Sequence, residues 1–324
     1  MTATRVMIIP GLTLQHVCED DLRRMQEAAG DDSCIVVCNP DQAHTQIADT
    51  QVVLGLVSPS LFAQANKLRW VQSISSGVDS FMYPAFINSP VMLTSEKGLV
   101  GEHLADHGMG LLLMLTRQLA AARDLGPAAW HNRSQLRAEE LELTDMTMGI
   151  IGFGGTGRAM ARRAAAFGMQ VRAIDREQVP PAEGLQQVEP VSHLLDVLAA
   201  VDVVAVCCPL TRETHGLLNS ATLARTKPGA FIINVTRGEV IEEAALAEAL
   251  QSGHIRGAGL DVAPREPLPA DSVLWQLPNV VMTPHTAGAS QFRAARNIQR
   301  FIDNLNRFIH NEPLEGIINK TLGY

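Results

Sequence analysis

A glycine-rich turn between two apolar runs constrains the fold of this chain more than any other feature. The stretch from Met148 to Asp175 opens on an apolar run, passes through GFGGTG at 152–157, continues with helical spacing and closes on a second apolar run. This order predicts a strand, a turn, a helix and a second strand, which together form one βαβ unit. A G-x-G-x-x-G turn in that position is typical of a dinucleotide-binding site.

Each position of the turn has its own physical role. Gly152 allows the tight turn out of the strand, Gly154 allows the backbone to approach a pyrophosphate, and Gly157 allows the helix to pack closely on the sheet. The backbone amides of Gly155 and Thr156 then lie at a helix N-terminus, where the helix dipole favours an anion. The turn therefore predicts a binding site for the phosphates of a dinucleotide.

The acid at the end of the second apolar run bears on which dinucleotide binds. Asp175 follows the last glycine of the turn by 18 residues, a spacing at which a carboxylate accepts hydrogen bonds from the adenosine ribose hydroxyls. Its negative charge disfavours a 2′-phosphate, so NAD is favoured over NADP. The adjacent Arg176 weakens this discrimination, since a guanidinium attracts a phosphate.

Composition excludes several classes of function. The 324 residues allow two domains with separate cores, and the net charge of −8, without a basic run, argues against a nucleic-acid partner. The most apolar run, 108–116, is far shorter than the roughly 18 residues of a membrane span, and an early apolar run is broken by Pro10. We therefore expect a cytoplasmic protein without a membrane partner.

Histidines and cysteines give no pattern typical of a metal site. His103 and His107 lie in HLADH without an evident third ligand, so no metal is expected. The chain has five cysteines, none with zinc-ribbon spacing. The apolar surroundings of four of them predict reduced, buried thiols at Cys34, Cys38, Cys207 and Cys208.

The rest of the chain alternates between strand and helix patterns, which predicts parallel α/β sheets. Strand-like runs cover 5–9, 34–38, 51–57, 70–74, 91–94, 201–206, 230–235, 257–262 and 280–282. Apolar residues at three- and four-residue steps predict a single long helix from Gly101 to about Arg123 and a last helix over 289–310.

Three polar residues in the second half each follow a strand-like run. They are Arg237, Glu266 and His285. Because loops leave a parallel sheet at the carboxyl ends of its strands, we expect the three side chains to converge near the bound dinucleotide. An arginine, a carboxylate and a histidine at such an edge are candidates for a catalytic site, although each taken singly is equally compatible with an exposed surface residue.

Several motifs in addition to the glycine turn resemble one enzyme family. They are SSGVD (75–79), GIIGFGGTG (149–157), CCPLTRETHGLLN (207–219), KPGAFIINVTRGEV (227–240), GAGLDV (257–262), REPLP (265–269) and TPHTAG (283–288). In this order they resemble the D-isomer-specific 2-hydroxyacid dehydrogenases, which include glyoxylate/hydroxypyruvate reductases, phosphoglycerate dehydrogenases and D-lactate dehydrogenases. The resemblance covers most of the chain and is far more specific than the glycine turn alone.

The resemblance implies a fold with two doubly wound parallel-sheet α/β domains. A Rossmann NAD-binding domain, residues 101–289 with the long linking helix, is inserted into a flavodoxin-like substrate-binding domain of residues 1–100 and 290–324. The active site is expected in the cleft between them. Relatives are usually homodimers joined through the long helix and the arm that follows it, so a homodimer is expected here.

The resemblance also implies roles for individual residues. Arg237 holds the carboxylate or carbonyl of a 2-keto acid, and the backbone amides of Ser76 and Gly77 bind the same carboxylate. His285 exchanges a proton with the carbonyl oxygen, while Glu266 orients the imidazole and stabilises its protonated form.

Further residues are implied in cofactor binding. Asp261 orients the carboxamide of the nicotinamide, and Pro209 and Val235 line the cofactor. The chain departs from the family at Ala263, where an aromatic residue is usual, and at Gly155-Thr156, which is smaller than the common pair. Neither departure removes a group with an implied catalytic role.

The function implied is NAD(H)-dependent interconversion of a small 2-keto acid, similar to glyoxylate or hydroxypyruvate, and its D-2-hydroxy acid. Two alternatives remain open at this point. One is a dinucleotide-sensing regulator related to the corepressors on this scaffold, and the other is an enzyme that oxidises another small anion. The identity of the 2-hydroxy acid and the preferred direction of reaction are also open.

Overall fold

The computed structural model describes residues 3–181, 185 and 187–324, and the chain divides into two compact units. One unit comprises Met1–Val100 with Ala289–Tyr324, and the other comprises Gly101–Gly288. Each unit contains its own parallel sheet. Within the described ranges, no helix combines the length and apolar character that a membrane span requires.

The first unit is built around a sheet that has five strands among the described residues, in the order β2-β1-β3-β4-β5. Its strands are β1 (Arg5–Ile8), β2 (Cys34–Val37), β3 (Val52–Leu54), β4 (Trp70–Gln72) and β5 (Met92–Thr94). Its helices are α1 (Glu19–Ala29), α2 (Pro40–Gln46), α3 (Pro59–Phe62), α4 (Pro84–Ile87) and, at the end of the chain, α12 (Arg293–Ile309). All neighbouring strands pair in parallel, and this order is flavodoxin-like, as predicted.

The last helix belongs to the core of the first unit. Trp70 is fully buried and stacks on Phe301 of α12, with ring centroids 5.3 Å apart. Arg293, at the start of α12, pairs with the buried carboxylate of Glu96 at 2.5 Å, and Asn297 donates to the same carboxylate. Aromatic packing and a buried ion pair therefore hold this helix to the unit that the chain left at Val100.

The second unit contains a sheet of seven strands within the described ranges, in the order β12-β11-β10-β9-β6-β7-β8. Its strands are β6 (Thr147–Ile151), β7 (Gln170–Asp175), β8 (Glu189–Pro190), β9 (Val203–Val206), β10 (Ala230–Asn234), β11 (Ile255–Leu260) and β12 (Val280–Met282). Its helices are α5 (Gly101–Thr116), α6 (Leu119–Leu125), α7 (Arg133–Glu139), α8 (Gly155–Ala166), α9 (Leu194–Ala200), α10 (Ser220–Leu223) and α11 (Glu243–Gln251). The strand order reverses direction between β6 and β9. The carboxyl ends of these two strands are therefore the switch point, where doubly wound sheets bind ligands. The predicted fold class of two doubly wound parallel sheets is confirmed.

The prediction of one unbroken helix from Gly101 to about Arg123 is wrong. Helix α5 ends at Thr116, and Gln118 has the left-handed backbone angle φ 53° before α6 begins. The backbone amide of Leu141 donates to the Thr116 carbonyl oxygen, so a later segment occupies the hydrogen-bonding position that a continuing helix would use.

The prediction that Cys34 is buried is also wrong, because β2 is an edge strand and Cys34, its first residue, is exposed. Cys38, Cys207 and Cys208 are buried, and all of these thiols are free. Burial raises the pKa of the Cys208 thiol to about 12 and raises that of Cys207 as well. Both therefore stay protonated at neutral pH and are poor nucleophiles.

Candidate active site

The glycine turn lies at the switch point of the second sheet, directly after β6. Gly152 has φ 92°, and a Cβ atom on it would lie 2.7 Å from the Cα atom of Cys208. A Cβ atom on Gly157 would lie 2.1 Å from the carbonyl oxygen of Gly152. Only glycine fits at either position, because the contacts are to backbone that cannot move away.

The middle of the turn is open, in contrast to its ends. A Cβ atom on Gly154 would meet nothing within 4 Å in the described structure, so a ligand can approach the backbone there. Helix α8 begins at Gly155 without a side-chain cap on its first amides. These amides and the helix dipole suit an anionic group, and the turn therefore fits the pyrophosphate of a dinucleotide.

Asp175, the last residue of β7, is fixed beside the turn by backbone amides. Its Oδ2 accepts a hydrogen bond from the amide of Phe153 at 2.6 Å, and its Oδ1 accepts one from the amide of Glu177 at 2.8 Å. Arg176 lies 3.8 Å from the carboxylate of Glu213, and both side chains are largely exposed. The carboxylate is thus held at the end of the strand while the neighbouring guanidinium faces solvent.

Two further residues with implied cofactor roles differ in exposure. Pro209 follows β9 and is exposed, and its carbonyl oxygen accepts a hydrogen bond from the Thr214 hydroxyl. Val235 follows β10 and is only 3 % exposed, so its side chain packs in the hydrophobic core. Their cofactor contacts remain predictions.

The three candidate catalytic side chains follow β10, β11 and β12, which are neighbours in the sheet. Arg237 follows β10, where the side-chain amide of the buried Asn234 donates to the Arg237 carbonyl oxygen at 2.8 Å. The guanidinium donates to the Thr236 carbonyl oxygen at 2.7 Å. Parallel strands end at one edge, so Arg237, Glu266 and His285 all lie on loops from the same edge.

Glu266 and His285 form a hydrogen-bonded pair. His285 Nδ1 lies 2.7 Å from Glu266 Oε2, and Glu266 Oε1 accepts a hydrogen bond from the amide of Ala263 at 3.1 Å. An ionised carboxylate accepts hydrogen bonds but does not donate them, so Nδ1 carries the hydrogen. The imidazole therefore presents Nε2 as its second nitrogen, and about half of the side chain is exposed.

A close backbone contact holds the Arg237 loop against the Glu266 loop. A Cβ atom on Gly238 would lie 1.9 Å from the carbonyl carbon of Ala263 and 2.3 Å from the nitrogen of Pro264. No larger residue fits at position 238 without moving one of the two loops. Gly238 therefore determines how closely the arginine and glutamate loops approach each other.

Asp261, directly after β11, is 1 % exposed and binds the segment that contains His285. Its Oδ1 accepts hydrogen bonds from the Thr283 hydroxyl at 2.6 Å and the Thr286 amide at 2.9 Å, and its Oδ2 accepts one from the Ala287 amide at 2.9 Å. In addition, the amide of His285 donates to the Asp261 carbonyl oxygen. The buried carboxylate is satisfied by a hydroxyl that precedes the histidine and by two backbone amides that follow it.

Ser76 and Gly77 belong to the first unit, in the loop after β4. The hydroxyl of Ser75 donates to the Gly77 carbonyl oxygen at 2.8 Å, and the Ser73 hydroxyl accepts from the amide of Ser75 at 3.1 Å. These bonds order the loop at the carboxyl edge of its own sheet. Binding of a substrate carboxylate by Ser76 and Gly77 remains a prediction.

Sequence reasoning missed the role of three residues around the site. Gly238 and Thr283 lie within two of the motifs, but only the three-dimensional structure shows what each contacts. His107 is visible in HLADH, yet nothing in that motif indicates that its Nε2 lies 2.7 Å from the Thr283 hydroxyl, 176 residues later.

Comparisons with known proteins identify similar dehydrogenases and reductases. A family profile described as D-isomer specific 2-hydroxyacid dehydrogenase, NAD binding domain, matches residues 109–287. A glyoxylate reductase of Korarchaeum cryptofilum is 33% identical, covering 82% of this chain and 80% of that protein. A glyoxylate/hydroxypyruvate reductase B of Citrobacter koseri is 34% identical, covering 96% of this chain and 97% of that protein.

A solved structure extends the similarity to the full chain. It is a D-isomer specific 2-hydroxyacid dehydrogenase from Xanthobacter autotrophicus Py2 in complex with NADPH and MES. The two chains are 28% identical with a TM-score of 0.82, and the match covers 99% of this chain and 100% of the other.

Proposed function

Because the chain belongs to the D-isomer specific 2-hydroxyacid dehydrogenase family, we propose that it reduces a small 2-keto acid to the D-2-hydroxy acid and catalyses the reverse oxidation. The chain is an oxidoreductase with a Rossmann NAD-binding domain. The observation that carries the proposal is the pair of His285 Nδ1 and Glu266 Oε2, 2.7 Å apart beside the arginine loop. Relatives named glyoxylate reductase and glyoxylate/hydroxypyruvate reductase B support a substrate with a small side chain.

The histidine is the proposed proton donor and acceptor. Since Nδ1 donates its hydrogen bond to Glu266, Nε2 is the atom that exchanges a proton with the substrate oxygen. When Nε2 is protonated, it donates to the keto oxygen as negative charge develops there, and when it is not, it accepts the proton of the alcohol. The ionised Glu266 stabilises the imidazolium and fixes the orientation of the ring.

Arg237 is the proposed substrate-binding cation. Its guanidinium is planar and permanently charged, which suits two hydrogen bonds to a carboxylate or a carbonyl oxygen. The side-chain amide of Asn234 donates a hydrogen bond to the backbone carbonyl oxygen of Arg237, and this bond fixes the backbone from which the guanidinium extends. The backbone amides of Ser76 and Gly77 are proposed to bind a substrate carboxylate.

The proposed cofactor site is the turn 152–157 with Asp175, and the cofactor supplies or accepts the hydride when bound. We propose NAD in preference to NADP, because the Asp175 carboxylate is held by two backbone amides where a 2′-phosphate would be repelled. The Xanthobacter structure contains NADPH, but that observation describes the cofactor of that protein and not of this chain. Arg176 is the residue of this chain that would favour a phosphorylated ribose.

The proposal is tested by following nicotinamide absorbance with a panel of substrates. We expect NADH oxidation with glyoxylate, hydroxypyruvate or pyruvate. We also expect a kcat/KM for NADH at least about tenfold above that for NADPH, because the Asp175 carboxylate repels a 2′-phosphate. Cofactor binding without turnover of any 2-keto acid would favour a regulator of corepressor type. NAD reduction by formate or another small anion, in place of keto-acid reduction, would also overturn the proposal.

We also propose that the chain forms a homodimer through the segment that follows α5, residues 117–139. Helices α6 and α7 and the turn between them contain no buried residue within the described structure, and Trp130 is 80% exposed. Trp130, Leu119 and Leu125 all lie in this segment, and exposed apolar side chains of this size are costly in water and typical of an interface. Light scattering should give twice the mass of the 35.0 kDa chain, and a monomer at micromolar concentration would contradict the proposal.

A further inference from the structure

A histidine outside the proposed catalytic set contacts the segment that contains His285. His107 lies on α5, and its Nε2 is 2.7 Å from the Thr283 hydroxyl oxygen and 3.5 Å from Asp261 Oδ1. The His107 side chain is 25% exposed, whereas Asp261 is 1% exposed. Helix α5 packs closely against the start of α8, where a Cβ atom on Gly101 would lie 2.5 Å from the carbonyl oxygen of Gly155.

The direction of these hydrogen bonds follows from the chemistry of the groups. The carboxylate of Asp261 only accepts hydrogen bonds, so the Thr283 hydroxyl donates its hydrogen to Oδ1 at 2.6 Å. The Thr283 oxygen is then left as the acceptor for His107, and Nε2 of His107 must carry a hydrogen. His107, Thr283 and Asp261 therefore form one directed chain of hydrogen bonds from α5 to the end of β11.

The segment 283–287, which these hydrogen bonds hold, has an unfavourable backbone conformation at its centre. His285 has φ 53°, a left-handed conformation that residues other than glycine adopt at a cost. The amides of Thr286 and Ala287 on one side, and the hydroxyl of Thr283 on the other, are bound to the Asp261 carboxylate. Such a conformation persists only where surrounding contacts determine it, and Asp261 supplies those contacts.

We propose that His107 is a positioning residue for His285, acting through Thr283 and Asp261. By donating to the Thr283 oxygen, His107 fixes the rotamer in which the hydroxyl points to Asp261, and this keeps the segment 283–287 in the conformation that pairs His285 with Glu266. The inference rests on the proposed function for its kinetic consequence. Its structural consequence, the order of the segment 283–287, does not depend on that function.

The test compares three variants at the same helix. His107→Leu removes the donor and is expected to lower kcat about tenfold, the effect of one lost hydrogen bond, with less than a twofold change in the KM for the keto acid. His107→Gln keeps an N–H donor at a similar reach and is expected to restore kcat to within about threefold of the wild type. The matched control is Asp106→Asn, one residue earlier on the same helix. Within the described structure, the carboxylate of Asp106 pairs with Arg163 of α8 and not with the segment 283–287.

A second measurement separates this inference from the proposed function. Amide hydrogen exchange over residues 283–288, measured by mass spectrometry on the whole chain, should become faster in His107→Leu and stay unchanged in Asp106→Asn and His107→Gln. Unchanged exchange in His107→Leu overturns the inference, and so does a kcat in His107→Gln as low as in His107→Leu. If the chain reduces no keto acid but exchange responds as described, the positioning role stands and only the proposed reaction fails.

Discussion

The variant His285→Ala is expected to reduce keto acid with a kcat/KM about a thousandfold below that of the wild type, in the range that the loss of a general acid–base group produces. The reason is that Nε2 is the one imidazole nitrogen not committed to Glu266, so removing the ring removes the proposed proton donor. Stopped-flow and steady-state measurements of NADH oxidation give the rate. Because about half of this side chain is exposed, its removal should change the free energy of unfolding little.

Two comparisons make this expectation specific. His310→Ala, at an exposed histidine after α12, serves as the control and should keep full activity. NADH binding, followed by fluorescence, should be unchanged in His285→Ala, since the proposed cofactor residues are at the turn 152–157 and Asp175. If His285→Ala retained a kcat/KM within threefold of the wild type, the assignment of His285 as the proton donor would be wrong.

The variant Gly238→Ala is expected to cost about 3 kcal/mol in the free energy of unfolding and at least about a hundredfold in kcat/KM. A methyl group at position 238 would lie 1.9 Å from the carbonyl carbon of Ala263, so either the Arg237 loop or the Glu266 loop must move. A displacement of about 1 Å between groups that act on one substrate is enough for a loss of that size. Chemical denaturation gives the stability, and the keto-acid assay gives the activity.

The matched control adds the same methyl group in open space. Gly110→Ala lies on α5, where a Cβ atom would meet nothing within 4 Å of the described structure. Alanine has the higher helix propensity, so this variant should be more stable than the wild type by about 0.5–1 kcal/mol, with activity unchanged. Equal stability and activity of Gly238→Ala and the wild type would show that the two loops are not held by this contact.

Local sequence patterns were sufficient for the fold class and for the dinucleotide turn. Alternating apolar runs and helical spacing predicted parallel α/β sheets, since both patterns depend on which side chains are buried along a short segment. The spacing of Gly152, Gly154 and Gly157 predicted the turn, because steric limits on the backbone act over a few residues. Where a local pattern was interrupted by tertiary contacts, as at Gln118 between α5 and α6, the prediction was wrong.

The candidate catalytic residues came from motif resemblance and their order after the strands, not from any local signal of proximity. The structure brings Glu266 and His285 to 2.7 Å, although 19 residues separate them, because β11 and β12 are neighbours in the sheet. It also places Cys34 at an exposed edge, where its apolar surroundings in the sequence predicted burial. Strand order is a property of the whole sheet, so a segment read alone does not contain it.

By itself, the sequence therefore determined the identity of the chemical groups, the two-sheet α/β architecture and the family, all of which depend on residue type and short-range spacing. Only the tertiary structure decided which groups meet. Gly238 contacts the backbone of Ala263, Asp261 accepts a hydrogen bond from Thr283, and His107 is hydrogen-bonded to the same threonine. The physical reason is that these contacts join residues from 22 to 176 positions apart, and packing of whole helices and strands brings such residues together.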